Sequence, residues 1–193
     1  KNYIDIKADS IIAPAVEYYE CHGTKEERFL CNYYNARIYE NAGDNENALL
    51  YAAKAESIDT SKIPAENKCL LYAMKGRIYH NDWRITEAID SYKMACDYAV
   101  ESERYRHYVY YLLKLADIYR YDNDYESSNR CVQVADQYNI HFTLSDTHIY
   151  KSLVLSNMIN LGKDSLLCVQ YADEYIKEYP QYDMIRWHII AKV

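Results

Sequence analysis

Glycine and proline are scarce in this chain, four and three among 193 residues, against averages of about 7% and 5%. Long helices joined by short loops account for that scarcity. Four glycines also leave little material for the loops that cradle phosphates or dinucleotides. No run of about 18 apolar residues occurs, so no insertion into a membrane is expected of this segment. Basic residues are in the minority, 22 Lys and Arg to 29 Asp and Glu, for a net charge of −7. That balance disfavours nucleic acid as a partner. Cys21, Cys31, Cys69, Cys96, Cys131 and Cys168 form no C-x-x-C pair, which removes the zinc-ribbon and thioredoxin readings. They read as reduced, buried small hydrophobes, with disulfides the alternative if the chain lies outside the cytoplasm. His22, His80, His107, His141, His148 and His188 include no H-E-x-x-H spacing, and no G-x-S-x-G occurs. No nucleophile, base and oxyanion set can be assembled, so no enzyme, cofactor or metal centre is expected.

What the chain has instead is tyrosine, 24 residues beside two Phe and two Trp. A large apolar ring with a polar tip suits a half-buried surface. It also has a period of 40 residues. Ala36-Arg37-Ile38-Tyr39 returns as Gly76-Arg77-Ile78-Tyr79 and as Ala116-Asp117-Ile118-Tyr119. Ala48, Ala88 and Ser128 keep the same step, as do Ala55, Ala95 and Ala135. Self-similarity at a fixed period of 20–50 residues marks units that stack on their neighbours.

Helix signals punctuate each unit. Thr24 and Glu27 read as a capping box, and Pro64 stands where a first turn begins. Asp44, Asp124 and Asp164 share one phase as N-caps. Gly43 and Asn123 precede two of them and suit the left-handed backbone that ends a helix. Trp83-Arg84 breaks this rule, so the second turn is expected to be built differently. The spacing predicts about ten helices. A leading helix covers about 6–21, bent at Pro14. Pairs follow at 25–42 with 45–57, 64–81 with 84–99, 103–121 with 125–138, and 145–160 with 164–178. A last helix starts near Asp183. One domain is expected over 1–193, with a leading segment 1–23, units at about 24–63, 64–102, 103–142 and 143–182, and the start of another at 183–193. Because the chain opens at Lys1 on a second helix and ends inside a first helix, it reads as a piece of a longer array.

These columns resemble the tetratricopeptide repeat, whose pattern is W-x2-L-G-x2-Y, then A-x3-F, then P. Here they read Tyr72-x2-Lys75-Gly76-x2-Tyr79, Leu112-x2-Leu115-Ala116-x2-Tyr119, Ala88-x3-Tyr92 and Ser128-x3-Val132, with Pro180 as the single closing proline. The resemblance implies an all-α fold, a right-handed α-solenoid of antiparallel helix pairs. Small residues at Ala36, Gly76, Ala116 and Ser156 would let paired helices approach, and Tyr39, Tyr79 and Tyr119 would fill the wedge between stacked units. The unit is 40 residues rather than 34, Asn35 and Lys75 replace a leucine, and the fourth unit carries Ile159 where Tyr is expected. Long units of this kind are similar to the sensor regions of bacterial regulator proteins, which implies a cytoplasmic or periplasmic setting.

In such arrays the first helices line the concave groove. On them lie Tyr33, Arg37, Glu40 and Asn41, then Arg77, His80 and Asn81, then Tyr110, Asp117, Arg120 and Tyr121. Two guanidiniums with flanking Asn and Tyr can hold a carboxylate. The same arginines can equally pair with Glu40 or Asp117 and do nothing else. The pattern departs from the carboxylate clamp of chaperone-binding members, which needs Lys and Asn in fixed columns, so that function is not carried over. Tyr110, Tyr111, Tyr119, Tyr121 and Tyr125 concentrate in the third unit, and Tyr121 is expected to be exposed. The expected function is a protein- or peptide-binding scaffold. The alternative is self-assembly into a homo-oligomer through the open face of the helix from Asp183 through Trp187 to Val193.

Overall fold

Thr24 starts the first hairpin as the sequence predicts. Its hydroxyl accepts from the Glu27 N–H, and Glu27 bonds back to the Thr24 N–H at 2.8 Å. The computed structural model describes residues 12–180. Among these, nine α-helices and two short 3-10 turns are found, and no strand. Contacts divide the chain into two units, Lys1–Arg104 and Tyr105–Val193. The first holds α1 (Ile12–His22), α2 (Lys25–Asn41), α3 (Asn45–Glu56), α4 (Ala65–Asn81) and α5 (Ile85–Glu101). The second holds α6 (Tyr105–Tyr121), α7 (Tyr125–Asp136), α8 (Leu144–Asn160) and α9 (Ser165–Glu178). Pro14 lies in the first turn of α1 as described. The part of the leading helix predicted before Ile12, and the helix predicted from Asp183, lie outside the described residues.

The four first helices, α2, α4, α6 and α8, are each 17 residues long. Helices α2, α4 and α6 fold back on α3, α5 and α7 through three-residue turns built alike. The N–H groups of Ala42, Asp82 and Asp122 donate to Ile38, Ile78 and Ile118. Those of Gly43, Trp83 and Asn123 donate to Glu40, His80 and Arg120. This satisfies the last carbonyls of each helix around one left-handed residue. Gly43, Asn123 and Trp83 have φ of 78°, 61° and 59°. The expectation of a different second turn is therefore corrected. The backbone is shared, and only the cap differs. Asp44 and Asp124 accept from the N–H three residues on, whereas Arg84 caps nothing, lies over the Tyr79 ring and pairs with Glu87 at 2.8 Å.

The small-residue column is also corrected in the fourth unit. First helices start at Lys25, Ala65, Tyr105 and Leu144, so the last step is one residue short. An extra residue in the following loop, Leu161–Lys163, restores Asp164 to its cap. The position of Ala36, Gly76 and Ala116 is thus taken by buried Leu155, with Ser156 half-buried beside it. In the second and fourth hairpins a small residue faces a larger one. Gly76 abuts the Tyr92 ring, where an added Cβ would come within 2.8 Å. Leu155 packs with Ala172, and Ala36 with Ala52, in their clusters. Tyr39 stacks on Tyr51 of its own hairpin, centroids 5.4 Å apart, and Tyr79 lies under Arg84. Tyr39 also packs against the cluster that holds Leu71, Met74 and Ile78 of α4, the next unit.

The leucine replaced by Lys75 is explained by charge. The Lys75 ammonium bonds both Glu56 oxygens, at 2.7 and 2.8 Å, on α3. Glu56 also helps burial push the Tyr72 phenol well above its usual range. Of the six cysteines, Cys69, Cys96 and Cys168 are buried, Cys31 and Cys131 half-buried and Cys21 exposed, so burial holds for three of those expected to be buried. No described helix is long and apolar enough to cross a membrane.

Candidate functional site: the faces of the first helices

Within the first unit, α2 and α4 bring three of the predicted residues together. Glu40 is gripped by both guanidiniums. Arg77 donates from Nε and Nη2 to its two oxygens at 2.9 and 3.1 Å, and Arg37 Nε lies 3.0 Å away without hydrogen-bond alignment. Arg37 Nη1 donates to the Tyr33 hydroxyl at 3.3 Å. Burial draws the Arg77 guanidinium down, and its bonds and charge pairing with Glu40 more than offset this, leaving it above the usual arginine value. Burial likewise raises the Tyr33 phenol against the pull of Arg37. Tyr33 is only 4% exposed, so it is core rather than groove. Asn41 and Asn81 are exposed at helix ends, and His80 is half-buried. An outside carboxylate would have to displace Glu40, already held at an effective concentration on the order of millimolar or more.

Within the second unit, the same helix faces are not joined by a cross-helix ion pair among the described residues. A pocket of about 240 Å³ lies between α6 and α8. From α6 it is lined by Tyr110, Leu113, Lys114, Asp117, Arg120 and Tyr121. From α8 come His148, Ile149, Ser152 and Leu153. The α6 residues recur at helical three- and four-residue steps, which aims them at one side. Arg120 turns back to Asp117 on its own helix, donating from Nε and Nη2 at 3.2 and 2.7 Å, and its guanidinium lies 4.3 Å from the Tyr121 ring centre. Burial lowers the Arg120 guanidinium and Asp117 more than restores it. The Lys114 ammonium lies 5.4 Å from the Tyr110 ring centre, and among the described residues no carboxylate pairs with it. The His148 ring is fixed by the Tyr175 hydroxyl, 2.7 Å from Nδ1.

Register explains the difference. The thirteenth residue is Arg77 in α4 and Ser156 in α8. The sixteenth is Glu40 in α2 and Arg120 in α6. Where Arg77 crosses to Glu40, Ser156 offers Arg120 no charge, and Arg120 pairs with Asp117 on its own helix instead.

Of the predicted residues, the structure thus gathers Tyr110, Asp117, Arg120 and Tyr121 in one pocket, and Tyr121 is 52% exposed as expected. It separately ties Arg37, Glu40 and Arg77 to one another. Lys114 and the α8 wall were missed. The helical spacing from Tyr110 to Tyr121 points to Lys114, but the one-residue slip conceals the α8 partners. Among the described residues, no group of three or more His, Cys, Asp or Glu is placed to hold a metal ion. Comparison with known proteins yields no match to a family model, to a curated protein or to a solved structure.

Proposed function

We propose that the chain is a protein- or peptide-binding scaffold built as a tetratricopeptide-like solenoid, serving as the sensory or interaction segment of a larger bacterial regulatory protein. The observation that carries this reading is the open α6–α8 pocket, a concave surface with an exposed tyrosine and an ammonium paired with no carboxylate. Tyrosine gives contact area at low entropy cost, and a central pocket is where anchor residues dock. Because Arg37 and Arg77 already hold Glu40, reversing both charges reads on stability rather than on ligand. The informative variants are Tyr121→Ala and Lys114→Met. A peptide selected from a random library on the full chain should bind each variant at least tenfold more weakly. Equal affinity for both would remove the α6–α8 face from the reading.

A second reading is self-assembly, favoured by the exposure of Ile140 (87%) and Leu144 (88%), with Leu166 and Leu167 also exposed. The helix first expected to carry it lies outside the described residues. Light scattering of the chain beside its Leu144→Lys, Leu167→Lys variant tests it. A dimer that the double variant dissociates supports assembly, and a monomeric parent chain rules it out.

A further inference from the structure

We propose that the α6–α8 pocket binds a small aromatic carboxylate, with the Lys114 ammonium as its counter-charge. The proposal rests on the reading of the first-helix surface as a binding surface and adds its chemistry.

Charge sets the head group. Arg120 and Asp117 cancel each other across 2.7 Å. That leaves the half-buried Lys114 as the one lining cation without a carboxylate among the described residues, in a chain of net charge −7. A partly desolvated cation loses hydration that a single carboxylate restores through a charge-assisted bond. A phosphate dianion or a nucleotide brings more negative charge than one spare ammonium neutralises.

The walls set the body. Leu113 and Leu153 are 1% and 3% exposed and form an apolar floor. The Tyr110 and Tyr121 rings stand on the α6 side, and aromatic rings favour contact with one another. Size sets the limit. At about 240 Å³ the pocket falls below the roughly 300–1,000 Å³ of drug-sized sites. One ring with a short acidic arm suits it.

The test uses the ¹⁵N-labelled full chain, with phenylacetate as probe and phenylacetamide as its uncharged counterpart. Phenylacetate should shift the amides of Leu113, Lys114, Ser152 and Leu153 with a Kd of about 1 mM, ordinary for some ten heavy atoms. Phenylacetamide should bind at least tenfold more weakly, as should phenylacetate to Lys114→Met. Lys114→Arg should retain binding. Ser156→Glu gives Arg120 a partner across the groove, a reversed copy of Glu40 with Arg77, and should also abolish the shifts. The same spectra report whether each variant keeps the fold. Equal binding of the amide, or undiminished binding by a folded Lys114→Met, overturns the proposal. So does the absence of shifts with phenylacetate at about 20 mM. A peptide ending in Phe that binds where the free acid does not would sink the small-molecule assignment and leave the scaffold reading standing. If neither binds, both fall.

Discussion

Between α2 and α4, Arg77 reaches across to Glu40. Between α6 and α8, the same two positions hold Ser156 and Arg120, and Arg120 turns back to Asp117. Around the first pair, Tyr33 and Met74 are buried in one apolar cluster. At the second, Leu113 and Leu153 floor a pocket beside Ser152, which is exposed. Two seams with the same helix length therefore differ in one cross-helix ion pair and in how their side chains fill the gap. In a repeat fold the register sets which residues face each other, and the residues then decide whether the face is core or cavity.

The largest effects should come from the position that sets hairpin spacing. Gly76 faces Tyr92, and Leu155 packs with Ala172. Leu155→Ala removes buried methyl groups and should cost about 3 kcal/mol. Gly76→Leu drives a side chain into a ring that a Cβ alone would approach to 2.8 Å, and should cost about 2–3 kcal/mol. Denaturant unfolding followed by circular dichroism measures both. A neutral Gly76→Leu would show that Tyr92 can move aside, and that the paired sizes are not a packing constraint.

Next comes a polar residue in an apolar column. Asn157 is the fourteenth residue of α8, the place held by Ile38, Ile78 and Ile118. It is 1% exposed, and neither its amide nitrogen nor its oxygen has a protein partner. An unmade hydrogen bond on a buried amide costs about 1–3 kcal/mol. Asn157→Ile should therefore stabilise the chain by about 1–2 kcal/mol. Destabilisation instead would mean that the amide is satisfied by an internal water and that the fourth hairpin needs it.

The helix starts were legible because their signals are local. Thr24 with Glu27, and Asp44, Asp124 and Asp164, each cap the helix that follows them. The hairpins fall within three residues of the spans that the spacing predicts. The fourth small residue was misplaced because one residue is lost before Leu155 and regained after Asn160. Cap spacing alone conceals that exchange. The pocket was half legible. Its α6 wall follows from helical periodicity, but its α8 wall depends on the shifted register of α8, and in the other unit Arg37 and Arg77 are spent on Glu40. Sequence spacing aligns such groups without saying which of them pair.

The smallest effect concerns the turns. Gly43 and Gly162 take the left-handed residue in two hairpins and Asn123 in a third, while the second hairpin uses Trp83, at φ 59° and 74% exposed. A side chain there costs roughly 1–2 kcal/mol relative to glycine, with asparagine tolerated better. Glycine also has more backbone freedom to lose on folding. Trp83→Gly should thus stabilise the first unit by about 1 kcal/mol, and Asn123→Gly should change the second by less. Thermal unfolding with and without each substitution gives the comparison. If Trp83→Gly lowers the midpoint, the indole contributes more through its contacts than the backbone loses, and the second turn owes its form to that ring rather than tolerating it.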